Sequence, residues 1–173
     1  MRLVLTSILC HTGLMTHVQD LVDYLQSQDI FVAVAFKRLY YLDEQDEMRL
    51  LERLGTTPYL LYDTEEELKD FVLENKCNLI HANSHATFES ATEVSLQLQI
   101  PLIVTLHSVF PWHRFYQKTL QTATDIIAVG PAQASSARNF GHKIKIVANG
   151  IDTTTFVPSW ESGAEGGVIN VLW

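Results

Sequence analysis

The sequence predicts an α/β fold built on a mostly parallel sheet of about seven strands, with helices on both faces. Three observations predict it. Cys77–Ser108 reads strand, polar turn, helix, proline, strand, a βαβ unit whose two strands must run parallel. Short apolar runs of strand length recur along the chain and alternate with helical patterns. The central runs end in polar groups, with His81, Asn83 and Ser84 after the first and Thr105, His107 and Ser108 at the second. In open parallel sheets the ligand crevice lies outside the carboxyl ends of the strands. Both histidines therefore stand where ligands go.

In chain order, Arg2–Leu9 is a buried first strand. The turn from Cys10 to Met15 leads into a helix over Thr16–Gln28, with Thr16 as its N-cap and Val18, Leu21, Val22 and Leu25 as a core-facing stripe. Gly13 lets backbone approach a ligand, and free N–H groups at a helix start favour anions. Ile30–Phe36 is a second buried strand, and the tyrosine pair Tyr40–Tyr41 precedes a charged helix around Glu44–Leu54. Tyr59–Tyr62 reads as an edge strand. Thr64–Glu74 is a helix opened by a capping box of Thr64 and Glu67, and its acidic first turn suits the helix dipole.

Asn78–Ala82 and Pro101–Leu106 flank a helix over Phe88–Leu98. An aromatic-rich segment, Val109–Gln121, holds Phe110, Trp112, His113, Arg114, Phe115 and Tyr116. Its aromatic faces suit sugar rings and its arginine suits phosphate, unless the aromatic side of an amphipathic helix faces the core. Asp125–Val129 is another strand, Pro131–Asn139 a helix with proline at its start, and Lys143–Ala148 the last strand of the sheet. Asn149–Asp152 is a turn. The Gly/Ser-rich stretch Ser159–Gly167 resembles a linker, and Val168–Trp173 opens what reads as a new buried strand. The expected organisation is one domain over residues 1–158, then a linker and the start of a second domain over 159–173.

The bulk numbers narrow the partners. At 173 residues the chain can bury a core without disulfides or metal. A net charge of −8 argues against a nucleic-acid binder and against a strongly basic membrane-docking face. The amino-terminal apolar run is short, carries one positive charge and lacks a small-residue cleavage site, so it reads as a strand rather than a leader. The two cysteines fall at opposite ends of neighbouring strands and are expected to be free thiols in a reducing, cytoplasmic setting.

With these elements in place, the chain resembles the amino-terminal half of GT-B fold glycosyltransferases of family 4. Four stretches carry the likeness. Thr12–Val18 stands where the family has a Gly-Gly pair, three residues and His. Leu79–Ser84 is similar to its apolar-His-Ala-His-Ser strand end. Ile100–Ser108 is similar to "IP-apolar-apolar-T-x-H-[GDS]". Asp125–Val129 through Asn149-Gly150-Ile151-Asp152 to Phe156 and Pro158 resembles "AD-x-apolar-AVS … NG-[VI]-D-x-x-x-F-x-P". The chain departs from the pattern at Thr12, Asn83 and Gly130-Pro131. The resemblance implies a Rossmann-like three-layer sandwich forming one half of a GT-B fold. It implies an acceptor-binding domain of a retaining, nucleotide-sugar-dependent hexosyl transferase that needs no metal or other cofactor. A carboxyl-terminal domain with a basic pair and a Glu-x7-Glu motif would hold the nucleotide sugar, and without it the chain would be inactive.

For the site, His107 is the catalytic candidate, because a neutral imidazole at a central strand end can accept or donate a hydrogen bond to a sugar hydroxyl. Thr12, Gly13, His81, Asn83, Ser84, His85, Ser108 and Arg114 are candidate substrate-binding residues. His81 also reads as a strand-end structural histidine, and His17 is balanced between structural and functional roles. Asn149, Gly150 and Asp152 read as a turn. No Cys or carboxylate stands at ligand spacing beside the histidines, so no metal site is expected. Partners are then a nucleotide sugar, an unidentified acceptor and the chain's own second domain, with no nucleic acid and with room for peripheral membrane contact in the full protein. The alternatives are a GT-B-like nucleotide-sugar 2-epimerase, which would need cleft carboxylates, and a stand-alone ligand-binding or partner-docking module.

Overall fold

A computed structural model describes residues 1–38 and 42–150. Tyr40, Tyr41, the turn residues Ile151 and Asp152, Phe156, Pro158, the linker Ser159–Gly167 and the strand Val168–Trp173 lie outside the described residues.

The elements are β1 (Arg2–Ile8), α1 (Gly13–Ser27), β2 (Phe31–Lys37), α2 (Glu44–Glu52), β3 (Tyr59–Tyr62), α3 (Glu65–Glu74), β4 (Leu79–Ala82), α4 (Phe88–Leu98), β5 (Leu102–Leu106), α5 (Trp112–Phe115), α6 (Gln117–Thr122), β6 (Asp125–Ala128), α7 (Pro131–Ser136) and β7 (Ile144–Ile146). Short 3-10 turns cover His85–Thr87 and Arg138–Lys143. All seven strands join one sheet in the order β3-β2-β1-β4-β5-β6-β7, and every pair is parallel. Tyr59–Tyr62 is the edge strand that the sequence predicts.

Alternation along the strands divides the core between the two faces. Val4, Ala33 and Ala35 pack with α3, α4 and α6 through Leu68, Phe88, Val94 and Leu120. Leu5, Val32, Val34 and Phe36 pack with α1 and α2 through Met15, Val18, Val22 and Leu50. The result is a three-layer sandwich of the Rossmann-like kind. The order reverses direction between β1 and β4, the switch point at which such sheets open a crevice.

Local chemistry explains the helix ends. The Thr64–Glu67 capping box forms: Glu67 N–H donates to Thr64 Oγ1 at 3.3 Å, and Thr64 N–H donates to Glu67 Oε2 at 2.9 Å. Hydrogen bonds from the Asp63 and Thr64 backbone hold the Glu67 carboxyl below its usual range. Thr64→Ala should lower stability by about 1 kcal/mol, read as a lower urea midpoint at unchanged slope. Three helices end on non-glycine residues in the left-handed region, Asp29 (φ 57°), Lys76 (φ 50°) and Gln99 (φ 54°). The next residue in each case donates back to the last helical turn, as Ile100 N–H does to Ser95 O at 3.2 Å. Gln99→Gly should raise stability by about 0.5 kcal/mol, since relief of the left-handed strain outweighs the added chain entropy.

Three boundaries differ from the sequence reading. The first helix begins at Gly13, and its N-cap is Thr12, whose hydroxyl accepts from Leu14 N–H, so Thr16 is not the cap. The aromatic segment is two short helices broken at Tyr116 rather than one amphipathic helix. The helix begun by Pro131 stops at Ser136 and gives way to 3-10 geometry.

Candidate functional site

The carboxyl ends of β1, β4 and β5 open onto a pocket of about 380 Å³, roofed by the start of α1. Two backbone features fix its floor. Asn83 N–H donates to Thr6 O at 2.8 Å, continuing the β1–β4 pairing past the strand end. Behind it, Thr6 Oγ1 donates to Thr87 Oγ1 at 2.9 Å, and Thr87 Oγ1 donates to Ser84 O at 2.8 Å. The turn after β4 is therefore tied to β1 by buried hydroxyls, and Asn83 is held in place.

Gly13, Asn83, Ser84, His85, His107 and Ser108 all line this pocket. His107 is half-buried at the end of β5, and its Nε2 lies 3.1 Å from Asn83 Oδ1. Nε2–H donating to that oxygen leaves Nδ1 as an acceptor. Burial, and secondarily the nearby His17, push the His107 pKa down to about 4, so the ring is neutral at pH 7. Ser84 caps the 3-10 turn through Ala86 N–H. His85 is exposed and lies with its ring near parallel to Phe110 at 6.5 Å and edge-on to Trp112 at 6.3 Å.

Three predicted residues are not among the residues lining this pocket. Thr12 caps α1 and meets Cys10 Sγ at 3.0 Å. His81 is buried behind the pocket, where its Nε2 lies 2.7 Å from Thr105 Oγ1. Desolvation, reinforced by His17 and His107, lowers its pKa to about 3. Its register partners Leu5 and Ile103 place it on the face under α1, within the paired part of the sheet and behind the pocket-lining Asn83 and His107. Arg114 is exposed on α5, with its guanidinium 5.8 Å from the Phe115 ring, and is not among the lining residues.

The pocket also recruits Ile8, Leu14, His17, Thr105, Trp112 and Asn149. His17 stands edge-on to His107, 5.0 Å between centroids at 77°, and its pKa is lowered by burial against the opposing pull of Asp20 and Asn83. It faces the strand ends because α1 starts at Gly13, which puts His17 one turn along the same face as the glycine. Trp112 is fully buried among Phe88, Phe110 and Tyr116. Asn83 and Trp112 each carry a buried donor, Nδ2 and Nε1, that has no partner among the described residues.

The cysteines are both free thiols, Cys77 buried and Cys10 partly so. Among the described residues there is no cluster of three or more His, Cys, Asp or Glu that could hold a metal, and no helix long and apolar enough to cross a membrane.

The family model described as Glycosyltransferase Family 4 matches residues 11–155. No curated protein matches the sequence. Among solved structures, HepE from Anabaena in complex with UDP-glucose is 16% identical with a TM-score of 0.68, over 89% of this chain and 45% of that one. MurG from Acinetobacter baumannii gives 11% and 0.65 over 87% and 46%. A glycosyltransferase from Rickettsia africae gives 11% and 0.68 over 91% and 46%. The chain spans slightly less than half the length of the structures it matches.

Proposed function

Because the chain belongs to glycosyltransferase family 4, we propose that it is the acceptor-side half of a retaining, nucleotide-sugar-dependent glycosyltransferase, inactive until joined to a donor-binding domain. One observation carries this reading: the pocket at the switch point gathers His107, Asn83, His17 and Gly13 in a chain that spans 45% of the HepE structure it matches. HepE, with the same fold in its matching half, holds UDP-glucose. In the proposed reaction the second domain supplies the nucleotide contacts. This half presents His107, with its Nδ1 lone pair turned from Asn83, to a sugar or acceptor hydroxyl. Cytoplasmic placement and independence from metal belong to the same proposal.

The test is to read the coding frame past Trp173 and assay whatever protein it encodes. A further domain carrying a basic pair and Glu-x7-Glu, with transfer from a nucleotide sugar and retained anomeric configuration, is the expected result. Inverted product, or a stop at Trp173 with no second polypeptide completing the site, would overturn it. Release of an epimerised nucleotide sugar would favour the epimerase reading, which needs acid-base carboxylates that the described pocket lining does not contain.

A further inference from the structure

The net charge of −8 is unevenly spread along the chain. Between Glu93 and Asp152 the only carboxylate is Asp125, while Arg114, Lys118, Arg138, Lys143 and Lys145 fall in the same stretch. Three of these cations are already engaged. Lys118 pairs with Glu93, Lys145 Nζ lies 2.8 Å from Asp125 Oδ1, and Lys143 donates to the carbonyls of Gln121 and Ala123. Arg114 and Arg138 have no carboxylate partner among the described residues. Charge divided in this way marks a face suited to an anionic partner.

The same two arginines flank an exposed apolar cluster. Val109 is 63% exposed, Phe110 36% and Phe115 58%, and large apolar side chains gathered in one place on a surface point to a partner. The Phe110 and Phe115 rings stand 5.2 Å apart, and the Arg114 guanidinium lies 5.8 Å from the centre of the Phe115 ring. A groove of about 400 Å³ is lined by Val109, Phe110 and Pro111 from the segment after β5, and by Ser135, Arg138 and Asn139 from α7 and the turn that follows it. Phe115 also borders a smaller groove lined by Glu65, Glu89 and Glu93, which bounds the cluster with acidic groups. Arg114, which does not line the pocket, belongs to this cluster instead.

We propose that Val109, Phe110 and Phe115 form a membrane-docking face that enters the interfacial layer of a bilayer bearing anionic lipids, with Arg114 and Arg138 meeting the lipid phosphates. Aromatic rings settle at headgroup depth, and the guanidinium fork fits phosphate oxygens. An extended polyanion is a poorer match, because two unpaired arginines give no track for its backbone. The apolar side chains must then carry most of the contact, and a bilayer accepts them. Ser108 and Trp112, on either side of Val109–Pro111 in sequence, line the pocket, so the docked face lies beside it. The inference stands apart from the transferase reading.

The experiment is co-sedimentation of the 173-residue chain with vesicles of phosphatidylcholine alone and of phosphatidylcholine mixed with phosphatidylglycerol, at low and at physiological salt. The expected result is binding to the mixed vesicles about tenfold tighter than to phosphatidylcholine, and weaker as salt rises. Val109→Ser combined with Phe115→Ser should weaken binding to the mixed vesicles about tenfold. Arg114→Gln and Arg138→Gln should each weaken it about fivefold and together remove most of the preference for anionic lipid. All four side chains are exposed, so the variants should keep the wild-type urea midpoint. Met48→Ser on α2, where the side chain is equally exposed, is the control and should bind as the wild type does. Sedimentation with neither vesicle, equal binding to both, or undiminished binding in the apolar double variant would each overturn the inference. A dimer abolished in that variant, with no vesicle bound, would overturn it by assigning the face to a contact between copies. Vesicle binding by this chain that is lost in the complete protein would overturn it by assigning the face to a contact between domains.

Discussion

Taking the chain from pH 7 to pH 4 is expected to remove about 3 kcal/mol of folding stability through His81 alone. The sign follows from the direction of the shift. His81 titrates near 6.5 in the unfolded chain, but burial lowers it to about 3 in the fold. Above pH 6.5 both states carry a neutral ring and the group has no pH dependence. Below 6.5 the unfolded chain takes up a proton that the native chain refuses, so stability is lost continuously as pH falls toward the folded pKa. His107, lowered to about 4, adds to the loss in the same window, to a smaller extent because it is only half-buried. The observation that checks this is the urea midpoint from pH 7.5 to 4.5 for the wild type and His81→Gln. Glutamine can still meet Thr105 Oγ1 but cannot be protonated in either state. The variant should start lower and fall more gently. Parallel curves would show that His81 is protonated, or solvated, in the native chain.

The elements that the sequence shows plainly are those fixed by local chemistry or by one strong periodicity. The capping box at Thr64 is a reciprocal pair three residues apart, so nothing distant is needed to form it. The βαβ unit around Phe88–Leu98 follows from two apolar strands and a helix of the right length, and the polar strand ends then locate the pocket. What the pattern conceals is how far each strand stays paired. His81 and His107 look alike on paper as strand-end histidines, and both face α1, yet His81 pairs with Ile103 inside the sheet while His107 lies beyond the end of β5 at the pocket. The start of α1 was hidden because Leu14 and Met15 can pass for turn residues, whereas Met15 is buried and Thr12 supplies the cap. That shift of one turn is what brings His17 into the pocket. Arg114 was legible as a candidate binding residue and Trp112 only as one of the aromatics of its segment. The break at Tyr116 buries the indole and leaves the guanidinium in solvent, a tertiary outcome with no local signature.

In the complete protein, His107→Ala is expected to lower kcat/KM by about 10² to 10⁴-fold, the usual scale for one positioned acid-base or hydrogen-bonding group. The form of the loss matters more than its size. With a pKa near 4, His107 is almost wholly neutral at pH 7, so it cannot offset phosphate charge and has no stored proton to give a leaving group. What it offers is a lone pair on Nδ1, aimed by the Nε2–H bond to Asn83 Oδ1. Two consequences separate this from a charged role. His107→Asn, a neutral amide of similar reach, should recover part of the loss, while His107→Lys should recover none, because an ammonium in this uncharged wall is desolvated without a partner. The wild-type kcat/KM profile should also show no limb near pH 6.5 that disappears in His107→Ala. If such a limb is found, the second domain or the donor raises the His107 pKa in the assembled site, and the residue acts as an imidazolium. The Asn83→Asp variant then becomes informative, since a carboxylate in place of the Oδ1 acceptor should raise the same pKa in the isolated half, measurable from the His107 ring protons. Activity that survives His107→Ala within a factor of about three would remove the residue from the chemistry and leave it as a wall of the pocket.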